Sequence, residues 1–339
     1  MQLFREMVGH ARGIALLQSF LKTGEVPHAL LFSGEEGIGK RTLAETFVAA
    51  LLCTGDVNLE MEPCTQCLSC KRLEDHNYPD FHLIEPEEQT IKIDQILKLQ
   101  EVISYKPLAG EKTVVVIDPA DKMNLQAANA LLKTLEEPTP HTLLILISSK
   151  PFSLPVTLLS RCQKVFFYPL SHSQIETILM NRNGLSVSDA RLLISMTGGR
   201  LKEAVLSDVA QAREREAALY SLISDETLLR YETLFKVATT FSETHETLTT
   251  ALHYLSAWFR DVLVMQTVAE AKAVSPTMLV YAWRHNEILR WAGRMNTHEV
   301  AKFIADMGEI QQAQIRNINR QLALETLLMR LRDKATEVC

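Results

Sequence analysis

The spacing of apolar positions along this chain divides it into two regimes. Up to about residue 168, short contiguous apolar runs (Ala29-Leu30-Leu31-Phe32, Val114-Val115-Val116-Ile117, Leu143-Leu144-Ile145-Leu146-Ile147) alternate with stretches whose apolar residues recur every three or four positions. Runs of that length between turn residues are the pattern of strands buried on both faces, and helical stretches between them imply a parallel sheet. The predicted order is a lead-in helix within 1–24 with Ile14, Leu17 and Leu21 on one face, closed by Gly24 and Pro27, and then a strand over His28–Ser33. A helix over Leu43–Leu52, a strand over Pro79–Ile84 and a helix ending near Ser104 come next. Strand Thr113–Ile117, a helix from Asn124 stopped by Pro138, strand Thr142–Ser149 and strand Lys164–Tyr168 complete the first regime. Beyond it no strand pattern recurs. Residues 169–207 read as a small helical domain, with helices over Ser171–Met180 and Ser188–Met196 and a third beginning in Thr197–Ala204. Residues 208–339 carry long amphipathic patterns such as Leu252-Leu255-Trp258-Phe259-Val262-Leu263 and Leu322-Leu324-Leu327-Leu328-Leu331, which predict an all-α bundle.

The turn after the first strand carries chemistry. Gly34-Glu35-Glu36-Gly37-Ile38-Gly39-Lys40 lies between a strand and a helix, the context of a P-loop. Glycines let backbone N–H groups face phosphate oxygens, and the helix N-terminus and lysine add positive potential. Gly34, Gly37, Gly39 and Lys40 are therefore the candidate nucleotide-binding residues. The next residue departs from the pattern: Arg41 stands where a Ser or Thr hydroxyl would bind Mg²⁺, and a guanidinium only donates hydrogen bonds. Thr42 is one residue late, turned by about 100° around the helix. A second departure lies after the strand Thr113–Ile117. In P-loop ATPases a carboxylate here supports the metal, and in the AAA+ class an adjacent glutamate activates water. Asp118 fills the first position but Pro119 fills the second, which leaves Asp118 to be read as a turn or capping carboxylate and the loop as hydrolytically dead. Whether nucleotide occupies it is left open. Ser148 and Ser149, at the end of their strand where a γ-phosphate sensor would lie, are read as structural for the same reason.

Between the P-loop helix and the second strand, Cys53, Cys64, Cys67 and Cys70 form a Cys-x10-Cys-x2-Cys-x2-Cys set. Short loops let four thiolates converge on one tetrahedral zinc ion, and a fully occupied ligand set makes such a site structural. The triplet also has the spacing of part of an iron–sulfur ligand set, but the Cys-Pro ending of that pattern is absent.

Bulk properties narrow the function classes. A net charge of −6 argues against a chain that grips nucleic acid alone through a broad basic face, including a zinc-dependent nucleic-acid module. Clustered cysteines suit a reducing compartment. No secretory signal is visible and the apolar runs are too short to span a bilayer, so the expected location is the cytoplasm, with no membrane partner.

Three stretches together carry a resemblance: Ala128-Asn129-Ala130-Leu131-Leu132-Lys133-Thr134-Leu135-Glu136-Glu137-Pro138, Ser160-Arg161-Cys162, and the four cysteines after the P-loop helix. With them the chain resembles the AAA+ clamp-loader subunits of bacterial DNA polymerase III. The resemblance is specific over residues 30–165 and looser beyond. Two members of that family carry the zinc module, a motor (tau/gamma) and a non-motor subunit. Arg41 and Pro119 set this chain beside the non-motor one, with an active motor as the alternative. The resemblance implies that Arg161 reaches in trans to the γ-phosphate of ATP on a neighbouring motor subunit. It also implies a basic second sensor on the third lid helix, with Lys202 fitting by spacing and Arg200 next. Residues 208–339 would form a collar that closes a ring, with Asn317-Ile318-Asn319-Arg320-Gln321-Leu322-Ala323-Leu324-Glu325 like the family's collar signature. The implied partners are the tau/gamma and delta subunits and, through the complex, the sliding clamp and primer–template DNA. On this reading the chain is a non-hydrolysing component of the polymerase holoenzyme.

Overall fold

The structure, a computed structural model, describes residues 1–55, 60–269, 278–313 and 319–336. The chain divides into two compact units, Met1–Gln174 and Ile175–Cys339. In the first, a parallel five-stranded sheet has the order β2-β3-β4-β1-β5, with β1 at Ala29–Ser33, β2 at Phe81–Ile84, β3 at Thr113–Ile117, β4 at Thr142–Ser148 and β5 at Gln163–Phe166. The inner strands β1, β3 and β4 are buried along their whole length, which is why they read as unbroken apolar runs. The edge strands β2 and β5 are only partly covered.

Helices α1 (Ala11–Thr23), α2 (Lys40–Leu52), α3 (Leu68–Glu74), α4 (Ile93–Ile103), α5 (Leu125–Glu136) and α6 (Val156–Leu159) connect and cover the sheet. One core packs Leu17, Leu43, Phe47 and Val48 against Leu30, Phe32, Val114, Val116 and Ile145. The opposite core packs Ile96, Leu99, Leu131, Leu135 and Leu158 against Leu31, Val115, Ile117, Leu144 and Leu146. Alternate residues of each inner strand thus serve opposite faces, as the two-residue strand period requires. Because β1 lies between β4 and β5 while β3 flanks β4, the carboxyl ends of β1, β3 and β4 share one sheet edge, where open α/β sheets place their ligands.

The second unit is helical. Helices α7 (His172–Asn183), α8 (Val187–Met196) and α9 (Leu201–Leu206) match the three helices expected over 169–207. They precede α10 (Val209–Tyr220), α11 (Asp225–Leu228), α12 (Tyr231–Ser242), α13 (His245–Ala269), α14 (His285–Arg294), α15 (Thr297–Ala313) and α16 (Arg320–Thr336). Helix α8 packs on both α10 and α13, and Met196 lies against the core of the later helices. At the centre of that core Trp258 is fully buried, with the rings of Tyr220, Tyr254 and Tyr281 around it at centroid distances of 5.8, 6.2 and 5.8 Å. The amphipathic reading of α16 holds for Leu324, Leu327, Leu328 and Leu331, all buried, but Leu322 is 59% exposed. At about 100° per residue it lies across the helix axis from that stripe. Asn317 and Ile318 of the collar-like segment lie outside the described residues.

Candidate functional site

The loop after β1 has the form of a phosphate cradle. Gly34 leaves the strand where a Cβ would meet the Phe167 carbonyl oxygen at 2.5 Å, so only glycine fits. Gly37 and Gly39 take φ of 79° and 98°, and the turn they make leads into the N-terminus of the 13-residue α2. Lys40, 6% exposed, donates through Nζ to the carbonyl oxygens of Gly34 (2.7 Å) and Glu35. Two of its three donors are thereby spent on the loop itself, which fixes the ammonium beneath the turn. Burial lowers the Lys40 pKa from its ordinary value, against the opposing pull of Asp118 and Asp121. His10 Nε2 meets the Ile38 carbonyl oxygen at 2.8 Å and braces the loop from α1's start.

Arg41 is tied into a carboxylate cluster. Its Nε donates to Glu45 Oε1 at 3.0 Å and its Nη1 to Glu85 Oε1 at 2.5 Å, and Nη1 lies 4.0 Å from Asp118 Oδ2. Asp118 thus faces a guanidinium rather than capping a helix. Its pKa is raised by burial, which outweighs Arg41 and Lys40. The residues present do not fit the Mg²⁺ of a working P-loop: the position of the metal-binding hydroxyl carries a fixed cation, and that cation lies against the carboxylate that would support the ion. Pro119 offers no base.

Asp121 organises the neighbouring strand end. Its Oδ1 accepts from the Ser148 hydroxyl (2.7 Å) and from the amides of Ser149 (2.8 Å) and Lys150 (3.4 Å). Ser148 and Ser149 are accordingly held in a structural network. Burial pushes the Asp121 carboxyl up, but these donors outweigh it and leave the pKa below the usual carboxylate value. A carboxylate so held stabilises the fold above the unfolded-state pKa and loses that contribution as pH falls through the depressed folded-state value. Asp121→Asn should cost about 2 kcal/mol at pH 7. It should also flatten the acid limb of a stability–pH curve measured by urea titration. An unchanged acid limb would show that Asp121 carries none of it.

Arg161 follows α6, 35% exposed at its side chain. Its Nη1 donates to the Thr157 carbonyl oxygen at 2.8 Å, and its Nη2 pairs with Glu136 Oε1 at 2.8 Å. Cys162 beside it is buried, its thiol pushed up to about 12 by that burial, so it is the small inert apolar residue expected. In the second unit Arg200 pairs with Glu203 at 2.9 Å and donates to the Thr197 carbonyl oxygen, while Lys202 lies exposed in the first turn of α9.

The four cysteines converge. Their sulfurs all lie within 4.8 Å of one another, with Cys53 and Cys67 Sγ 3.9 Å apart. Tetrahedral Zn–S bonds place sulfurs about 3.8 Å apart, so the quartet fits such an ion. The amides of Cys64, Cys67 and Cys70 donate to the sulfurs of Cys53, Cys64 and Cys67 at 3.4, 3.3 and 3.4 Å. Burial opposes ionisation of Cys67, yet the Cys70 amide and donors from Thr54 bring its thiol to about 5. Burial and the Cys67 sulfur push Cys70 far the other way. Four thiols this close could all ionise only beside a cation, so the quartet is suited to binding a metal ion. Gly55 belongs to the module too, since a Cβ there would meet Cys64 Sγ at 2.6 Å. So does Glu62, which accepts from the amides of Phe4 and Arg5, both at 2.8 Å, and ties the N-terminal segment to this loop. Glu85, Asp121, Glu136, Gly55 and Glu62 escape the sequence reading, because each acts through a partner brought near only by the fold, whereas Glu45 meets Arg41 at the i,i+4 spacing of α2.

Fold and site define an α/β protein with a P-loop-like turn followed by an arginine paired with Glu45 and Glu85, and with a cysteine quartet that can hold a metal ion. A family model described as DNA polymerase III, delta subunit, matches residues 9–171. The chain is 32% identical over 330 residues to DNA polymerase III subunit delta′ of Bacillus subtilis, covering 95% of this chain and 96% of that protein. It is 43% identical over 137 residues to the delta′ subunit of Pseudomonas aeruginosa, covering 40% of this chain and 41% of that one. To the tau/gamma subunit of Haemophilus influenzae it is 37% identical over 172 residues, 51% of this chain and 25% of that protein. The chain belongs to the delta-prime family of DNA polymerase III subunits. The tau/gamma likeness spans about half the chain, whereas the B. subtilis delta′ likeness runs nearly end to end. Among the described residues no helix is long and apolar enough to cross a membrane.

Proposed function

We propose that this chain is a clamp-loader subunit that does not hydrolyse ATP itself and donates Arg161 to the ATP site of a neighbouring motor subunit. The observation that carries the first half is Arg41, whose guanidinium lies among Glu45, Glu85 and Asp118 where a metal would be needed. Membership of the delta-prime family supports the second half, together with the partly exposed Arg161 in its Ser160-Arg161-Cys162 setting. A planar, permanently charged fork suits a phosphoryl group developing negative charge.

On this reading the partners are tau/gamma-type motor subunits and a delta subunit, and the complex places a sliding clamp on primer–template DNA. The helices over 169–207 act as a lid, with Lys202 or Arg200 as its basic sensor, and 208–339 forms the collar. Cys53, Cys64, Cys67 and Cys70 hold a structural zinc ion, a role that fits their mutual distances. The location is the cytoplasm, where thiolate zinc sites persist.

The test is ATP turnover with Mg²⁺ by the purified chain beside the reconstituted complex. The expected result is no turnover by the chain alone and activity of the complex that depends on Arg161. Turnover by the lone chain, abolished by Lys40→Ala, would make it a motor instead.

A further inference from the structure

The Arg161 guanidinium is held from two sides, by the Glu136 carboxylate at the last residue of α5 and by the Thr157 carbonyl oxygen of α6. The two contacts use different terminal nitrogens, so together they fix both the position and the roll of the planar group. Arginine has five N–H donors. Two are spent here, and three remain for an oxyanion. Glu136 is also in a poor place for a carboxylate, since the C-terminal end of a helix carries negative potential and favours cations. A side chain that opposes its own helix dipole while sitting 2.8 Å from a solvent-facing arginine is matched to that arginine rather than to the helix. As a source of stability the pair counts for little, because both partners are well exposed (35% and 51%) and water screens them.

We infer that Glu136 is the positioning residue of Arg161: it holds the guanidinium extended and oriented before the neighbouring phosphate arrives, so that less freedom is lost on contact. This rests on the proposal that Arg161 acts in trans, and the experiment separates the two. In the reconstituted complex, steady-state ATPase is measured for Glu136→Ala, Glu136→Gln, Arg161→Ala and the double alanine variant. Glu136→Ala should lower kcat about tenfold with KM for ATP little changed, the scale of loss that follows from a misplaced group. Its melting temperature should stay within about 3 °C of the parent. Glu136→Gln, whose amide oxygen still accepts from the guanidinium, should recover most of the rate. The double variant should be no slower than Arg161→Ala, because Glu136 acts only through Arg161. A kcat that is unchanged or raised in Glu136→Ala would overturn the inference, a rise meaning that Glu136 sequesters the arginine. Additive losses in the double variant would overturn it too, by giving Glu136 a separate role. An Arg161→Ala complex with full activity would bring down the trans-acting reading itself, and the inference with it.

Discussion

Arg161→Ala should reduce the DNA-stimulated ATPase of the reconstituted complex by about tenfold or more, toward the 10³–10⁵ that arginine fingers supply in phosphoryl transfer. The loss should fall on kcat. Among the described residues the guanidinium's polar partners are Glu136 and the Thr157 carbonyl, both at the surface, so melting temperature and assembly should stay near those of the parent. Arg161→Lys keeps the charge but gives up the fork, which needs two parallel N–H donors to grip phosphate oxygens, and should recover only a small part of the rate. Rapid-quench measurement of a single turnover locates the defect in the chemical step. An Arg161→Ala complex that turns over at the parental rate would contradict the role.

Metal removal is the second large effect expected. Purified chain should contain one zinc per molecule by elemental analysis, and a chelator strong enough to extract it should lower the melting temperature by more than about 10 °C. Structural zinc sites in small peptides contribute about 10–16 kcal/mol. Here part of that is offset, because α3 and the amides of Cys64, Cys67 and Cys70 already hold the sulfurs close. The remainder is still several times the stability at stake in a typical point mutation. The damage should begin at the N-terminus, since Glu62 in the same loop holds the Phe4 and Arg5 amides. Hydrogen exchange should therefore show residues 3–6 losing protection with the metal. A metal-free protein that melts with the native one would mean that the four cysteines are merely packed together.

These expectations divide along the line between local and long-range information. β3 and β4 are legible because a strand buried on both faces leaves an apolar run that no surface element imitates. The glycine-rich loop and the cysteine quartet are legible because their function requires particular residues at short, fixed spacing. The contacts that give those residues their character are not. Glu85 reaches Arg41 across 44 positions of sequence, and only the packing of α2 over the sheet brings it near the end of β2. Glu136 reads as the end of a helix, and nothing in its stretch or around Thr157 marks them as the two holds on Arg161. Asp121 looks like one more turn carboxylate until β4 places Ser148 against it. Leu322 carries the opposite lesson: a leucine adjoining an apolar stripe reads as core, yet helix geometry turns it to solvent.

A covalently attached cation cannot leave. In a motor subunit the ion arrives with nucleotide and departs with product, and the carboxylates around it alternate between occupied and bare. Arg41, fastened to Glu45 and Glu85, keeps a permanent positive charge at that corner of the domain. In the ring proposed above, such a corner would serve as a fixed point of reference, indifferent to the supply of magnesium or of nucleotide.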